Sequence, residues 1–158
     1  MVQCSTMLVQ MAVRGLMFDP YNNAFIVILK DSEESNDVLP IWIGKSEATS
    51  ISLALEGITA PRPMTHDLIK TLLEAVDATL ISVVVSELKE NTYFAKLHLT
   101  YHDAEVAVDA RPSDAIALSL RLNAPIFVTD DVLKKHSSEE LDRWLDNLRP
   151  EDFGKYDT

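Results

Sequence analysis

The chain has 158 residues, of which 47% are hydrophobic and 25% charged, a composition typical of one soluble globular domain and not of a disordered or fibrous protein. Its 25 acidic and 14 basic side chains give a net charge of −11, the wrong sign for a protein held on nucleic acid by its net charge. Apolar runs are too short to span a bilayer, and no basic and apolar leader begins the chain, so we expect a cytoplasmic protein without a membrane partner.

The first half of the chain predicts three strands followed by two helices. Apolar, β-prone runs predict strands over residues 7–18, 24–29 and 38–43. Pro40 indicates that the third strand lies at a sheet edge or that a strand begins there. An apolar repeat of helical period over residues 45–56 predicts a helix that Gly57 ends. After a proline-bounded connection, Thr65 is expected to cap the second helix.

The second half repeats this order. Strands are predicted over residues 80–88, 92–101 and 105–110, with turns at residues 90–91 and 102–103. In that register, residues whose numbers sum to 205 face each other, which pairs Lys96 with Asp109. Pro112 is expected to be the first residue of a helix that continues to Leu122. This helix is apolar almost all round, so we expect it between layers or in a subunit contact.

The two halves resemble each other when the chain is moved by 67 residues. Six positions then agree in type, among them Ser46 with Ser113 and Glu47 with Asp114. Together with the shared order of elements, this agreement indicates an internal duplication.

The predicted fold class is therefore α+β, with duplicated βββα(α) units. The units cover residues 7–77 and 80–135 within a domain of residues 1–135, and their mixed, mostly antiparallel sheet packs against the helices. A capping-box pattern at Ser137 and Glu140 predicts a C-terminal helix within an acidic tail over residues 136–158.

Common catalytic motifs are absent from the chain. Gly44-Lys45-Ser46 lacks the glycine five residues upstream that a phosphate loop needs, since Leu39 stands there. The dinucleotide, zinc protease and serine hydrolase patterns are missing too. The single cysteine, Cys4, excludes an intramolecular disulfide.

Two helix starts carry the first set of candidate functional residues. Glu47 and Asp114 fall at the third helical position, where an acid can simply complement the helix dipole. The functional alternative is that both helix starts use their spare backbone N–H groups to bind an anion or phosphate. The side chains available to such a site are Lys45, Ser46, Arg111 and Ser113.

A second set lies at a strand end and at the entry to the second helix. Asp109 precedes Arg111 at the end of a strand, and it is either a site carboxylate or part of a surface ion pair. His66 and Asp67 follow Arg62, and a His-Asp pair can ligate a metal or supply general acid and base. The alternative is a helix cap at this position, with Asp67 complementing the helix dipole.

Three separated blocks of sequence, LPIWIGKSEA, RPMTHDL and VDARPSDAIALSLRLNAPIFV, resemble the bifunctional nuclease domain family. The likeness covers roughly residues 8–135 and includes the polar residues of both sets. It implies metal-supported cleavage of DNA and RNA, an activity assigned to plant members of the family.

We therefore predict a phosphodiesterase that acts on DNA and RNA with Mg²⁺ or Mn²⁺. The predicted catalytic residues are Glu47, His66, Asp67, Asp109 and Asp114, of which Asp67, Asp109 and Asp114 would hold the metal. The predicted phosphate-binding residues are Lys45, Ser46, Arg62, Arg111 and Ser113. The alternative is a non-catalytic oligomeric module, such as a homodimer, that binds a small anion, a nucleotide or a protein partner.

Overall fold

The computed structural model describes residues 6–33, 35 and 37–136. The predicted C-terminal helix lies outside these residues. Strands are β1 (Leu8–Asp19), β2 (Ala24–Asp31), β3 (Val38–Ile43), β4 (Thr79–Lys89), β5 (Thr92–Tyr101), β6 (Ala104–Ala110) and β7 (Ile126–Thr129). Helices are α1 (Lys45–Glu56), α2 (Thr65–Ala75), α3 (Pro112–Leu122) and α4 (Asp130–Lys135).

The seven strands form one mixed sheet in the order β3-β2-β1-β7-β4-β5-β6. Neighbouring strands are antiparallel except for the parallel pair β4 and β7. The sheet and helices confirm the α+β class. β7, which the sequence analysis did not predict, joins the two halves at the centre of the sheet and interrupts the second βββαα order. An origin of the halves by duplication stays a prediction.

The predicted strand pairing agrees with the structure. Lys96 lies opposite Asp109 in the β5–β6 register, as expected. Both residues of the β5–β6 turn, His102 and Asp103, have positive φ, which is typical of the tight turns that join antiparallel strands. Pro40 lies in β3, an edge strand of the sheet, where its missing N–H costs no ladder hydrogen bond.

Helix ends follow the sequence signals with one correction. Gly57 ends α1 at a φ of 66°, and Pro112 begins α3. The prediction that Thr65 caps α2 is wrong, because the N-cap is Met64 and Thr65 is already helical. The Met64 backbone N–H donates to the Asp67 carboxylate over 3.0 Å, so the acid in the first turn caps the helix.

The main core lies between the sheet and the helices, and α3 is its most buried helix. Ile116, Ala117 and Leu118 are almost fully buried, and α3 contacts β4, β5, α1 and α2. This confirms the expected position of α3 between layers. In the part of the chain that the structure describes, none of the helices has the length and apolar character needed to cross a membrane.

Candidate functional site at two helix starts

The first turns of α1 and α3 meet at the guanidinium group of Arg111. Its Nη1 lies 3.1 Å from Glu47 Oε1 on α1. Its Nε and Nη2 donate to the two oxygens of Asp114 on α3, over 2.9 and 3.3 Å. The structure therefore brings together three residues that the sequence predicted for the site, with one cation between two carboxylates.

A buried hydrogen-bonded pair supports Asp114 from behind. His66 Nε2 lies 2.8 Å from Asp114 Oδ1, and His66 Nδ1 lies 2.6 Å from Ser50 Oγ. An ionised carboxylate only accepts hydrogen bonds, so Nε2 is the donor to Asp114. In a neutral imidazole Nδ1 is then the acceptor, and the Ser50 hydroxyl donates to it.

The electrostatics of the pair Arg111 and Asp114 keep both groups charged at neutral pH. Partial burial raises the pKa of Asp114, but hydrogen bonds from Arg111 and His66 outweigh it and leave that pKa below its usual value. The hydrogen bond to Asp114 raises the pKa of the Arg111 guanidinium. The pair is thus a fixed ion pair, with the carboxylate ionised.

The order Ser50, His66, Asp114 has the residue types of a hydrolytic triad, but its geometry does not suit a nucleophile. Ser50 is only 3% exposed, so its hydroxyl is out of reach of a substrate. The exposed member is Arg111, at the other end of the chain of contacts. We conclude that Ser50 and His66 hold Asp114 in place.

A cavity of about 320 Å³ opens beside this cluster, between β3, the β4–β5 turn and the start of α3. Six of the residues that line it are Trp42, Gly44, Glu47, Tyr93, Arg111 and Ser113. Burial raises the pKa of Tyr93 to about 12, so its phenol stays protonated, with its oxygen 2.7 Å from His136 Nδ1. The cavity is thus lined by an acid, a cation and the aromatic ring of Tyr93, while the Trp42 indole donates to Asp19 on the other face of β3.

Gly44 leaves room for the Glu47 carboxylate at the start of α1. A Cβ atom added to Gly44 would lie 2.4 Å from Glu47 Oε2, so a larger residue there would force the carboxylate to move. Glu47 Oε2 therefore packs on the backbone of the N-cap, while Oε1 faces Arg111. The glycine fixes where the acid stands in the cavity.

Asp67 belongs to a separate, structural ion pair. Its Oδ1 accepts from Arg121 Nε over 2.8 Å, and its Oδ2 caps α2. Hydrogen bonds from Arg121 and the Met64 backbone hold the pKa of Asp67 below its usual value. Arg121, only 8% exposed, also donates to the carbonyl oxygens of Ser50 and Ala117. Arg121 thereby ties α1, α2 and α3 together.

Asp109 is not brought to the cluster. It lies on β6 opposite Lys96, whereas the neighbouring position Val108 faces the buried residue Leu97. Because successive side chains of a strand point to opposite faces, Asp109 faces away from the layer that holds α3. A catalytic role for Asp109 stays a prediction that this geometry does not favour.

Of the predicted phosphate-binding residues, Arg111 and Ser113 line the cavity. The other three lie outside it. Lys45 and Ser46 are exposed in the first turn of α1, and neither lines the cavity. Arg62 is exposed in the α1–α2 connection, and no hydrogen bond or ion pair joins it to another described residue.

The predicted metal ligands do not fit a metal ion in this arrangement. Both oxygens of Asp67 bind Arg121 and Met64, Asp114 is held by Arg111 and His66, and Asp109 is on the other face. Within the described residues, no group of three or more His, Cys, Asp or Glu side chains is arranged to hold a metal. We therefore derive no step through a metal.

Two important residues, Ser50 and Arg121, were missed by sequence reasoning. Ser50 lies among the buried residues of α1, next to Ile51, and Arg121 stands in the last turn of apolar α3. A polar residue within an apolar stretch of a helix is the signal that could have identified both, because buried polar groups need partners.

Residues 27–140 match the bifunctional nuclease domain family. The match covers more than half of the chain, so the protein belongs to this family, and the resemblance of its three sequence blocks is confirmed.

The similar proteins fall into two groups. An uncharacterized protein of Mycobacterium tuberculosis is 33% identical over 163 residues, covering 91% of this chain and 97% of that protein. Bifunctional nuclease 1 of Oryza sativa subsp. japonica is 28% identical over 105 residues, covering 65% of this chain and 32% of that protein. Bifunctional nuclease 2 of Arabidopsis thaliana is 27% identical with the same coverage. The matched region is about a third of each plant protein.

Proposed function

We propose that this protein hydrolyses phosphodiester bonds of DNA and RNA at the cavity beside Arg111. The observation that carries the proposal is the exposed guanidinium of Arg111, held in place by Asp114 next to the Glu47 carboxylate. A planar guanidinium binds phosphate oxygens through two parallel N–H groups. Membership of the family and the similarity to plant proteins named bifunctional nucleases support the same activity.

In this proposal Glu47 and Arg111 are the catalytic residues. Arg111 binds the phosphate and stabilises the negative charge that develops on it during hydrolysis. Glu47 accepts the proton of the attacking water, since its Oε2 faces no cationic partner among the described residues and its side chain lines the cavity. As the water oxygen bonds to phosphorus, the bond from phosphorus to the leaving sugar oxygen breaks, and this oxygen takes a proton from solvent water.

Asp114, His66 and Ser50 act as positioning residues. They do not line the cavity, but their contacts fix the direction of the Arg111 side chain. The sequence-based prediction of His66 as a general acid is replaced here by this supporting role, because its side chain is only 8% exposed. Asp67 supports the helices through Arg121.

The direct test is cleavage of fluorescent single-stranded DNA and RNA by purified protein with Mg²⁺, Mn²⁺ or EDTA. Arg111→Lys keeps the charge but loses the paired N–H groups, and we expect a loss of about 100-fold or more. Asp109→Asn, purified identically, is the matched control and should cleave like the wild type. Equal cleavage by all three proteins would contradict the proposal, as would loss in Asp109→Asn alone. The EDTA arm measures the metal requirement.

The second candidate is a non-catalytic module that binds an anion, a nucleotide or a protein partner. The net charge of −11 favours it, because that charge repels a long nucleic acid. Saturable, metal-independent binding of the same oligonucleotides with no cleavage under any condition would support this candidate against the nuclease.

We also propose that the protein forms a homo-oligomer in the cytoplasm. The apolar helix α3, which first suggested a subunit contact, is buried within the chain itself. The support now comes from α2 and its C-cap. Leu68 and Leu72 on the helix and Val76 at the C-cap follow a spacing of four residues and are each at least half exposed. Light scattering at micromolar concentration tests this, and a strict monomer would contradict it.

A further inference from the structure

We propose that the cavity beside Arg111 binds a single phosphorylated nucleotide unit, with the phosphate at the start of α3 and the base against the Tyr93 ring. This inference rests on the proposed function and names the substrate group that the site takes: the phosphate-bearing end of a strand or a free nucleoside monophosphate. Three independent features of the cavity carry it.

The first feature is the Ser113 hydroxyl. Ser113 is only 6% exposed and lines the cavity, yet its hydroxyl makes no hydrogen bond to any other described residue. A buried polar group without a partner is costly and therefore rare in native proteins. A phosphate oxygen in the cavity would satisfy this hydroxyl.

The second feature is the N-terminus of α3, an 11-residue helix that begins without a side-chain cap. Pro112, its first residue, has no N–H, so the amides of Ser113 and Asp114 are the first donors of the helix. Arg111 adds donors to this end of the helix. A guanidinium has five N–H groups, three of which face Glu47 and Asp114, so two are left for a phosphate. These donors and the helix dipole favour an anion.

The third feature is the size and character of the remaining cavity. Its volume of about 320 Å³ lies at the lower end of the range for small-molecule sites, which suits one nucleotide and not a duplex. The Tyr93 ring contributes aromatic surface to its wall, whereas the Trp42 indole lies on the other face of β3 and donates to Asp19 over 3.2 Å. Bases of every kind stack on aromatic rings, so such a wall holds a nucleotide without selecting its sequence.

The charges around the cavity predict the direction in which one substitution changes the affinity for phosphate. Glu47 and Asp114 outnumber Arg111 among the charged groups at the helix starts, so a phosphate meets one like charge in the cavity, that of Glu47. Glu47→Gln removes this repulsion without changing the size of the side chain. We therefore expect it to bind the phosphate group several-fold more tightly than the wild type.

The experiment is isothermal titration of the full chain with adenosine 5′-monophosphate, adenosine 3′-monophosphate, adenosine and inorganic phosphate. We expect saturable binding of at least one monophosphate, at least tenfold tighter than binding of adenosine or of inorganic phosphate. The two isomers distinguish a strand end that carries a 5′-phosphate from one that carries a 3′-phosphate. Equal binding of adenosine and its monophosphates, or no saturable binding at millimolar concentration, would overturn the proposal.

Ser113→Ala and Ser119→Ala provide a matched pair of variants on the same helix. Both serines are buried, but the Ser119 hydroxyl donates to the Ile116 carbonyl oxygen. We expect about tenfold weaker binding for Ser113→Ala, because a hydrogen bond to a charged group is lost, and no change for Ser119→Ala. Wild-type affinity in Ser113→Ala would contradict the site. Binding is measured without hydrolysis, so a failed titration with intact cleavage rejects this inference alone, and binding without cleavage rejects the proposed function alone.

Discussion

At the start of α1, Glu47 turns its carboxylate toward the N-cap Gly44 and into the cavity, whereas at the start of α3 the matching Asp114 turns toward His66. The two acids stand at the same helical position. Their surroundings differ because α2 brings His66 to α3 and leaves the α1 start open. The same short motif therefore gives one acid that faces the cavity and one that holds a neighbouring side chain.

The serines at the starts of α1 and α3 also differ in their surroundings. Ser46 is exposed to solvent, while Ser113 is buried in the wall of the cavity with no bonding partner among the described residues. Matching residues in the two halves of the chain thus share a local structure but not their surroundings. Packing against other elements decides which copy is exposed and which is buried beside the cavity.

The largest expected effect concerns Arg121, which joins α1, α2 and α3. Arg121→Met leaves Asp67 and the Ser50 carbonyl without their buried cationic partner. We expect the free energy of unfolding to fall by about 2–3 kcal/mol, somewhat less than for a fully buried pair because Asp67 is partly exposed. Chemical denaturation measures this loss.

The matched control is Lys70→Met, which removes an exposed ion pair with Glu74 on α2. Such surface pairs contribute little, so its free energy of unfolding should stay within about 0.5 kcal/mol of the wild type. Equal losses in both variants would show that Arg121 is not the tie between the helices.

A smaller effect is expected at the start of α1 alone. Gly44→Ala places a Cβ atom where Glu47 Oε2 now stands, and its φ of −77° is open to alanine. The carboxylate must move, and we expect cleavage about tenfold slower with little change in stability. Gly15→Ala is the control, since no atom lies within 4 Å of its added Cβ. An unchanged rate in Gly44→Ala would contradict the placement of Glu47.

The smallest effect is the acid dependence of stability at the start of α3. The folded-state pKa of Asp114 lies below its unfolded value, so its stabilisation is complete above about pH 4 and is lost as the pH falls through the folded pKa. The difference in unfolding free energy between wild type and Asp114→Asn should therefore shrink from pH 5 to pH 2. Parallel curves for the two proteins would contradict the ionised, paired state of Asp114.

Much of the fold could be predicted from the sequence because its elements are strongly patterned. Alternating strands, two-residue turns and Pro112 gave the elements and the β5–β6 register. β7 was missed because a strand of four residues between two helices, three of them apolar, has no period of its own. Its partners, β1 and β4, are remote in sequence, so only the assembled sheet identifies it.

The candidate site could be predicted in part. Glu47, Arg111, Asp114 and Ser113 were found because each stands at a helix start, where local rules apply. The separation of Asp109 from Asp114 depends on the face of β6 on which Asp109 lies. Distant partners, such as Arg121 for Asp67, depend on how α2 and α3 pack. Local patterns contain no information on such contacts.

The central claim is that Glu47 acts on the substrate and Asp114 acts on Arg111. The most direct measurement is single-turnover cleavage of one labelled single-stranded DNA by Glu47→Gln and Asp114→Asn, with the thermal transition of each. We predict that Glu47→Gln loses about 100-fold or more in rate and keeps its transition, while Asp114→Asn loses about tenfold and unfolds at lower temperature. A greater loss of rate in Asp114→Asn than in Glu47→Gln would contradict the account.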